Sequence, residues 1–275
     1  GYAKSSNKVG VVITTSGPGI TNMITPMLDA QNDSTPLIVI SGQVGLDNMG
    51  TDAFQEAPAV KITTPVTKWS HCIESVEEIP EIMDMAFFIA NDGKKGVVHL
   101  DLPKCVSTDN TFNLNDYKKE SLDYEVKKFI GNKNEFKENY FLDVKNIGDI
   151  INNSEKPIFY IGQGCSHASE ELKKLAIRNS IPVTSTIHGK GIYPEDNYLS
   201  LKWCGMHGMP AANYALQEAD CIIAVGSRFD DRTTGNLEHY APIAKEKQQI
   251  IHIDIEKKQF NKSVKSHHNF QCDSQ

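Results

Sequence analysis

The chain has 275 residues, of which 39% are hydrophobic and 23% charged, and its formal net charge is −7. This composition is typical of a soluble globular protein, and the length is sufficient for one large domain or two modest ones. An acidic surface attracts neither a phosphate backbone nor anionic lipid, so we expect no nucleic-acid or membrane partner. No apolar run approaches the roughly 20 residues of a membrane span, and no signal peptide is visible.

The first part of the chain has the pattern of a parallel α/β domain. Continuous apolar runs predict strands and helical spacing predicts helices; the strands are 9–15, 36–41 and 96–102, and the helices are 23–31 and 79–90. The run 9–15 is rich in β-branched residues, which predicts a strand buried on both faces. Residues 60–68 predict a short extended piece.

Functional residues are expected where these strands end. Gly17 and Gly19 form a glycine-rich turn from strand to helix, which suits either a cofactor contact or a plain tight turn. The loop 42–56 is long for a structureless connection and contains the aromatic Phe54, so it predicts a site. Lys104 follows another strand, and both surface solvation and ligand contact are open for it.

Residues 107–138 change in character and predict a connection between two domains. They are rich in Asn, Lys, Asp and Glu and show little apolar periodicity. A helix at 140–152 is followed by four strand–turn units, with strands at 156–161, 181–187, 221–225 and 249–255 and a helix at 168–179. This alternation predicts an α/β fold with a second doubly wound parallel sheet, and hence domains at 1–106 and 139–275.

Two of the three arginines in the chain lie in one short loop after a strand. Arg228 and Arg232 flank Asp230 and Asp231, whereas Arg178 lies elsewhere. A guanidinium binds a phosphate or a carboxylate through two parallel hydrogen bonds, and ligands of open α/β sheets bind at the carboxyl ends of the strands. We interpret this loop as an anion-binding edge, with a surface ion-pair cluster as the alternative.

The second domain carries a glycine, a polar residue or an acid after each predicted strand. Gly162 and Gly164 lack the third glycine of a dinucleotide fingerprint, so this pattern alone is weak. Asp254 suits a ribose hydroxyl pair, although such acids equally often cap the following helix. The six scattered cysteines indicate reduced, mostly buried thiols of an intracellular protein, and the histidines show no metal-ligand spacing. Together these residues predict a dinucleotide- or nucleotide-type site without a redox motif.

Several short motifs together resemble a known family. In chain order they are TSGPG-x-TN, SGQV, GTDAFQE, DLPK, GMHG and G-x-RFDDR-x-TGN. This series resembles acetohydroxyacid synthase, also called acetolactate synthase, of the thiamine-diphosphate enzymes, over nearly the whole chain apart from the variable connection. GTDAFQE and RFDDR are far more specific than any of the glycine patterns.

The resemblance implies a three-domain enzyme, of which this chain holds a truncated pyrimidine-binding domain and nearly all of a central FAD-binding domain. The family decarboxylates pyruvate with thiamine diphosphate and Mg²⁺ and joins the two-carbon unit to pyruvate or 2-ketobutyrate, in valine, leucine and isoleucine biosynthesis. Its FAD takes no obligatory redox part. A homodimer or larger assembly is implied, with a small regulatory subunit left open, and bacterial cytoplasm, plastid and mitochondrion are all open as compartments.

The resemblance also implies roles for individual residues. Those that match the active site and its substrate channel are Gln55, Phe54, Lys104, Met206, Asp231 and Arg232. Among them Arg232, expected to be buried, matches the arginine that selects the second substrate. Those that match FAD contacts are Lys94, Gly162, Gly164, Thr186, Ile187, Gly205, His207, Gly226, Arg228, Asp230, Asp254 and Asp273.

The chain departs from the family pattern at some positions. Gly45 stands where the family usually has proline, which should change the shape of an inhibitor-binding channel and leave the chemistry intact. Lys94 replaces an arginine and loses its forked geometry. The thiamine-activating glutamate and the motif for Mg²⁺ and diphosphate are expected outside this chain, which alone should be inactive. The alternatives are another thiamine-diphosphate decarboxylase or carboligase, and a non-catalytic flavin-binding protein.

Overall fold

The computed structural model describes residues 1–109, 113 and 140–274, and for 140–143 it describes the backbone only. The described residues form two compact units, one on each side of the gap. The predicted connection 107–138 lies almost entirely outside the described residues, so its boundaries stay a prediction.

The first unit contains a four-stranded parallel sheet with the strand order β1-β2-β4-β3. Its strands are β1 (Gly10–Thr14), β2 (Leu37–Gln43), β3 (Trp69–Cys72) and β4 (Val97–Pro103), and its α-helices are α1 (Tyr2–Ser6), α2 (Pro18–Asn32), α3 (Ala59–Thr63), α4 (Ile79–Asn91) and α5 (Lys104–Ser107). Successive residues of a strand point to opposite faces of the sheet, so Ile38 packs with α4 and Val39 packs with α2. Helices therefore cover both faces of this sheet.

Two predictions for the first unit are wrong in detail and one strand was not predicted, and edge position explains one of the errors and the missing strand. Strand β1 has only one neighbour, and Val11 and Ile13 are 48% and 78% exposed, so the strand is not buried on both faces. Strand β3, the other edge, was not predicted. Residues 60–68 are not extended, because α3 and a 3₁₀ turn, Thr64–Val66, occupy most of that range.

The second unit contains a six-stranded parallel sheet with the order β10-β9-β8-β5-β6-β7. Its strands are β5 (Pro157–Ile161), β6 (Val183–Ser185), β7 (Ser200–Trp203), β8 (Cys221–Val225), β9 (Ile250–Asp254) and β10 (His268–Gln271), and its α-helices are α6 (Tyr140–Asn152), α7 (Ser169–Asn179), α8 (Pro210–Glu218), α9 (Asp231–Thr234) and α10 (Pro242–Glu246). Alternate residues of β5 again enter two separate cores, Tyr160 with residues of α8 and α10, and Phe159 with residues of α7. The doubly wound fold is confirmed.

The strand order has a consequence for the site. From β5 the chain builds outward through β6 to β7, then returns to the middle and builds in the opposite direction through β8 and β9 to β10. The direction reverses between the neighbours β5 and β8, which pair along their whole length. In open α/β sheets a ligand-binding crevice forms outside the carboxyl ends of the strands at such a point, and this order is that of dinucleotide-binding sheets.

The described residues were also compared with the requirements for a reactive thiol, a metal site and a membrane span. All six cysteines are free, and three of them, Cys165, Cys204 and Cys221, are buried. Burial raises the pKa of these three thiols to about 11, so they stay protonated and are poor nucleophiles. Within 1–109 and 140–274 no His, Cys, Asp and Glu side chains cluster in a way that could hold a metal ion, and no helix there could span a bilayer.

Candidate functional site

The carboxyl edge of the second sheet brings most of the predicted cofactor residues together. Because all six strands are parallel, the segments that follow them emerge at the same edge. These segments carry Gly162 and Gly164 after β5, Thr186 and Ile187 after β6, Gly205, Met206 and His207 after β7, Gly226, Arg228, Asp230, Asp231 and Arg232 after β8, Asp254 at the end of β9, and Asp273 after β10.

The turns after β5 and β8 touch each other through their backbones. Gly162 N donates to Val225 O at 2.9 Å and Gly164 N donates to Gly226 O at 3.1 Å. A Cβ built on Gly164 would lie 2.8 Å from Gly226 Cα, and one on Gly226, at φ +57°, would lie 2.5 Å from Gly164 Cα. Contact between the two turns therefore explains why glycine is required at both positions, whether or not a ligand lies over them.

The arginine loop is fixed by an internal helix cap. Asp230 Oδ1 accepts hydrogen bonds from Thr233 N and Thr233 Oγ1, at 3.0 and 3.1 Å, and this cap begins the short helix α9. Arg228 precedes this cap in the sequence and Arg232 follows it. Arg228 is half-buried, but the Arg232 side chain is 71% exposed, so the expectation of a buried guanidinium at this position is wrong for the described unit.

The loop after β7 pairs with the arginine loop. Met206 N donates to Arg232 O at 2.7 Å, and the guanidinium Nη1 of Arg232 lies 3.6 Å from Met206 Sδ. Gly205 has a φ of +106°, and a Cβ there would lie 2.7 Å from Arg232 O. The predicted active-site residues Met206 and Arg232 are thus in contact, and the carboxylate of Asp231, the residue before Arg232, lies 3.9 Å from Arg232 Nε.

Asn213, which is not among the predicted site residues, holds this pair of loops. Its Oδ1 accepts from Gly205 N at 2.8 Å and its Nδ2 donates to Gly205 O at 3.0 Å. The side chain reaches back from α8 to a loop eight residues earlier, and no local pattern marks such a contact. Asn213 also lines a cavity of about 390 Å³, together with Met206, Arg232, Gln217 and Tyr240.

Other predicted cofactor residues have structural partners at the same edge. Asp254 is 8% exposed and its Oδ1 accepts from Glu256 N at 2.8 Å, so it does cap the following turn. Thr186 caps a 3₁₀ turn through a hydrogen bond from Gly189 N at 3.1 Å. A ligand contact at either position is in addition to these roles and stays a prediction.

The loop that contains Phe54 and Gln55 lies at the carboxyl edge of the first sheet, after β2. Phe54 is 89% exposed, and Gln55 is exposed with a φ of +60°, a conformation that non-glycine residues seldom adopt. The Glu56 carboxylate folds back over the loop and accepts from the backbone N–H groups of Gly50 and Ala53. These hydrogen bonds, that from Gly50 above all, lower the pKa of Glu56 and keep it ionised.

The turn after β1 supports the same loop. Gly17 has a φ of +59°, and a Cβ there would lie 2.8 Å from Gln55 O. The sequence left both a cofactor contact and a plain tight turn open for Gly17. Close packing against Gln55 is sufficient to explain why a glycine is needed there. Lys104 begins α5 at the carboxyl end of β4 and is exposed at the same edge, whereas Lys94 precedes β4 and lies at the amino end of that strand.

Family comparisons agree with this geometry. A family model described as "Thiamine pyrophosphate enzyme, central domain" matches residues 144–275, and one described as "Thiamine pyrophosphate enzyme, N-terminal TPP binding domain" matches residues 1–62. The chain belongs to the thiamine pyrophosphate enzymes, and it carries parts of two of their domains.

Within that family, the chain is homologous to acetolactate synthases. It is 42% identical over 274 residues to the mitochondrial acetolactate synthase catalytic subunit of Saccharomyces cerevisiae. This match covers 97% of the present chain and 40% of the yeast protein. It is 41% identical to the chloroplastic acetolactate synthase of Arabidopsis thaliana over 267 residues, or 97% of this chain and 38% of the plant protein. It is 39% identical to acetolactate synthase 1, chloroplastic, of Zea mays over 267 residues, and the match covers 97% of this chain and 40% of the maize protein. The chain thus spans about two fifths of the length of these relatives.

Proposed function

We propose that this chain is part of the catalytic subunit of an acetolactate synthase. In this proposal the full-length protein decarboxylates pyruvate and joins the two-carbon unit to a second 2-keto acid, pyruvate or 2-ketobutyrate, in the synthesis of branched-chain amino acids. The observation that carries the proposal is the arginine loop at the switch point of the second sheet, in contact with Met206 and capped by Asp230. The identity to acetolactate synthases over nearly the whole chain supports it.

FAD is the group that we assign to the edge of the second sheet. Arg228 follows β8 and Asp254 ends the neighbouring strand β9, so a cation and a buried acid lie on adjacent strands. A guanidinium suits a diphosphate and a carboxylate at a strand end suits ribose hydroxyls, so the donor set fits a dinucleotide. The other residues of this proposed site are those of the second unit that the resemblance gave, and a role for Lys94, which lies in the first unit, stays a prediction.

The second 2-keto acid is the group that we assign to Arg232. Its side chain is exposed, so the guanidinium can present two parallel N–H donors to an incoming carboxylate. The hydrogen bond from Met206 N to Arg232 O and the hydrogen bond from Gly205 N to Asn213 Oδ1 fix the backbone position from which the Arg232 side chain extends. Asp231 stands beside it as a carboxylate that repels an anion placed on the wrong side.

Thiamine diphosphate and Mg²⁺ complete the proposed set of cofactors. Thiamine diphosphate, when bound, supplies the electron sink for decarboxylation. For this chain we propose that Gln55 positions a polar group, that Phe54 forms an apolar wall that excludes water, and that Lys104 guides anionic substrates. We further infer a homodimer or larger assembly, in which the 89% exposed Phe54 becomes covered, with room for a small regulatory subunit.

The three arginines allow a matched test in the full-length protein. Arg228→Ala is expected to lower the FAD content after purification and to leave the product ratio unchanged. Arg232→Ala is expected to keep FAD and to lower the preference for 2-ketobutyrate over pyruvate by tenfold or more, on the order of one bidentate ion pair. Arg178→Ala, in the last turn of α7, is the control and should change neither quantity.

The readouts are flavin absorbance per chain and the ratio of the two acetohydroxy acids formed from mixed substrates. If Arg232→Ala keeps the wild-type product ratio, the assignment of Arg232 to the second substrate is wrong. If Arg228→Ala retains full FAD, the assignment of Arg228 is wrong. If the wild-type protein forms neither acetohydroxy acid, the proposed function itself is contradicted.

A further inference from the structure

A buried polar network crosses the first unit underneath the loop that carries Phe54 and Gln55. Ser41 Oγ donates to Asp101 Oδ1 at 2.6 Å and lies 2.8 Å from His99 Nε2, and Thr63 Oγ1 lies 2.9 Å from His99 Nδ1. The side chains come from β2, β4 and α3, and Ser41, His99, Asp101 and Thr63 are each at most 1% exposed. None of the predicted site residues belongs to this network.

The hydrogen bond from Ser41 to Asp101 sets the donors and acceptors around His99. With the single Ser41 proton on Asp101, His99 donates to Ser41 through Nε2–H, and its Nδ1 faces the Thr63 hydroxyl, which also donates to Ala59 O at 2.9 Å. Burial lowers the pKa of His99 to about 4, which keeps the ring neutral. The serine lies between the histidine and the carboxylate and is fully buried, so these three residues are not arranged as a nucleophilic triad.

Gln43 connects this network to the loop. Its Nε2 donates one hydrogen to Asp101 Oδ2 and the other to Ala57 O, each at 2.8 Å, and its Oε1 accepts from Val44 N at 2.9 Å. Ala57 is the second residue after Gln55, and its carbonyl also accepts from Ala59 N at the start of α3. One amide group therefore joins the ends of β2 and β4 to the end of the loop.

The carboxylate of Asp101 makes this arrangement directional. It accepts from two neutral donors in a buried place, and burial raises its pKa, although the hydrogen bonds from Ser41 and Gln43 partly offset that effect. A carboxylate can only accept, so it forces Gln43 to turn its NH₂ group inward and fixes which way the amide faces. A neutral amide at the same position would permit both orientations of Gln43, and only one of these reaches Ala57 O.

We propose that Asp101, acting through Gln43, is a positioning residue that holds the loop of Phe54 and Gln55 in place for catalysis. The proposal rests on the proposed function, in which that loop lines the active site. The network fixes the loop from below through Ala57, while Glu56 closes it from within through Gly50 and Ala53. Between these two attachments lies Gln55, whose positive φ needs support from its surroundings.

The two neighbours of Asp101 provide a matched pair of variants in the full-length protein. Gln43→Met keeps the length of the side chain and removes both hydrogen bonds to Asp101 and Ala57. It should lower kcat by about tenfold or more, because small displacements of positioned groups are costly to rate, with KM for pyruvate within about twofold. Ser41→Ala removes the other donor to Asp101 but leaves Gln43 bonded to Ala57, so it should lower the melting temperature and leave kcat near the wild-type value.

Hydrogen exchange gives a second readout that does not depend on activity. Gln43→Met should speed exchange of the amides of 50–59 at a temperature well below unfolding, and Ser41→Ala should not. Asp101→Asn should speed the same amides, because its NH₂ group allows Gln43 to turn away from Ala57. The double variant Gln43→Met with Asp101→Asn should be no worse than the poorer single variant, since both act through one bond.

The outcomes separate this inference from the proposed function. If the wild-type protein makes no acetohydroxy acid, the proposed function fails, while faster exchange in Gln43→Met still supports the attachment of the loop. If the wild type is active and Gln43→Met and Ser41→Ala have equal effects on kcat, the network is merely structural and the inference is wrong. Unchanged exchange at 50–59 in Gln43→Met, or additive effects in the double variant, would also overturn it.

Discussion

Individual side chains in the two units act mainly by fixing loops. Asp230, Asn213 and Glu56 each use a side-chain oxygen to accept hydrogen bonds from backbone N–H groups near the end of a strand. Because the loops are fixed in this way, the side chains of Arg232 and Phe54 are exposed while their backbone positions are defined. Exposure at these residues is therefore compatible with a role in binding.

Glu56 allows a prediction about the loop and pH. Hydrogen bonds from Gly50 and Ala53 lower its pKa in the folded protein, so its contribution is present at neutral pH and is lost as the pH falls through that lowered value. Glu56→Gln should therefore reduce, already at pH 7, the protection factors of the Gly50 and Ala53 amides (the intrinsic exchange rate divided by the observed rate) to the low values that the wild type reaches only in acid. Exchange measured from pH 7 down to pH 3 tests this expectation.

The control for Glu56 is Glu77→Gln, an exposed glutamate in the same unit. It should leave the exchange of Gly50 and Ala53 unchanged at every pH. Equal exchange in Glu56→Gln and the wild type at pH 7 would show that the carboxylate does not hold the loop.

The residues of the candidate site differ in how far the sequence could predict them. Arg228 and Arg232 stand out because arginine is rare in this chain and both lie in one loop, and Phe54 and Gln55 lie in a long loop after a strand. Asn213 and Gln43 could not be identified, because each matters through a partner that only the fold brings near. The exposure of Arg232 was also missed, since a residue type does not reveal whether its neighbours cover it.

At the scale of strands and helices, the errors follow the edges of the sheets. The central strands β5 and β8 are continuous apolar runs buried along their length, and both were predicted closely. The strands β3, β7 and β10 are all edge strands of four residues with partly exposed positions, and none was predicted. A short edge strand carries polar residues because it buries little, so its sequence resembles that of a loop.

The contact between the turns after β5 and β8 can be tested with one added methyl group. Gly226→Ala places a Cβ within 2.5 Å of Gly164 Cα at a φ of +57°. We expect a loss of about 3 kcal/mol in the free energy of unfolding, because strain at positive φ and overpacking add together. FAD content should fall as well if the turns support that group.

Gly93→Ala is the matched control for Gly226→Ala. Gly93 has nearly the same φ, +56°, but a Cβ there meets nothing within 4 Å. Gly93→Ala should lower the free energy of unfolding by only about 1 kcal/mol, the penalty of a left-handed conformation alone. Equal losses in the two variants, measured from denaturant midpoints, would mean that contact between the turns is unimportant.

Asp220 connects the amino ends of β5 and β8, and its contacts lead us to expect that stability falls in acid. Its buried carboxylate accepts from Glu155 N at 2.9 Å, Lys156 N at 2.8 Å and Lys247 Nζ at 3.0 Å. Burial by itself would raise its pKa, but these hydrogen bonds outweigh burial and the pKa is lowered. The stabilisation is therefore full at neutral pH and disappears as the pH falls through the lowered folded value.

Asp220→Asn should lower the free energy of unfolding by about 2 kcal/mol at pH 7, because charge-assisted hydrogen bonds are lost. The loss should shrink in acid, as the wild type loses the same contribution. Asp196→Asn, at an exposed aspartate, is the control and should change stability by less than about 0.5 kcal/mol. A loss for Asp220→Asn that is constant from pH 7 to pH 3 would contradict the assigned role of the charge.

At the scale of the whole molecule, two doubly wound sheets each present loops at the carboxyl ends of their strands. The strand order of the second sheet places a reversal between β5 and β8, and the two turns that meet there are those with the glycines and the arginine loop. The fold class followed from the alternation of apolar runs and turns. The choice of acetolactate synthase within the family required the specific motifs, because the fold alone serves many chemistries.

The most direct test of the proposed function is product formation by the full-length protein. The protein would be incubated with pyruvate, thiamine diphosphate, Mg²⁺ and FAD, and the products separated and identified by mass spectrometry, with a reaction lacking thiamine diphosphate as the blank. We expect acetolactate and one CO₂ per acetolactate, and additional acetohydroxybutyrate when 2-ketobutyrate is added. Release of CO₂ with acetaldehyde and no acetolactate, or no reaction from a protein that has bound its cofactors, would contradict the proposed function.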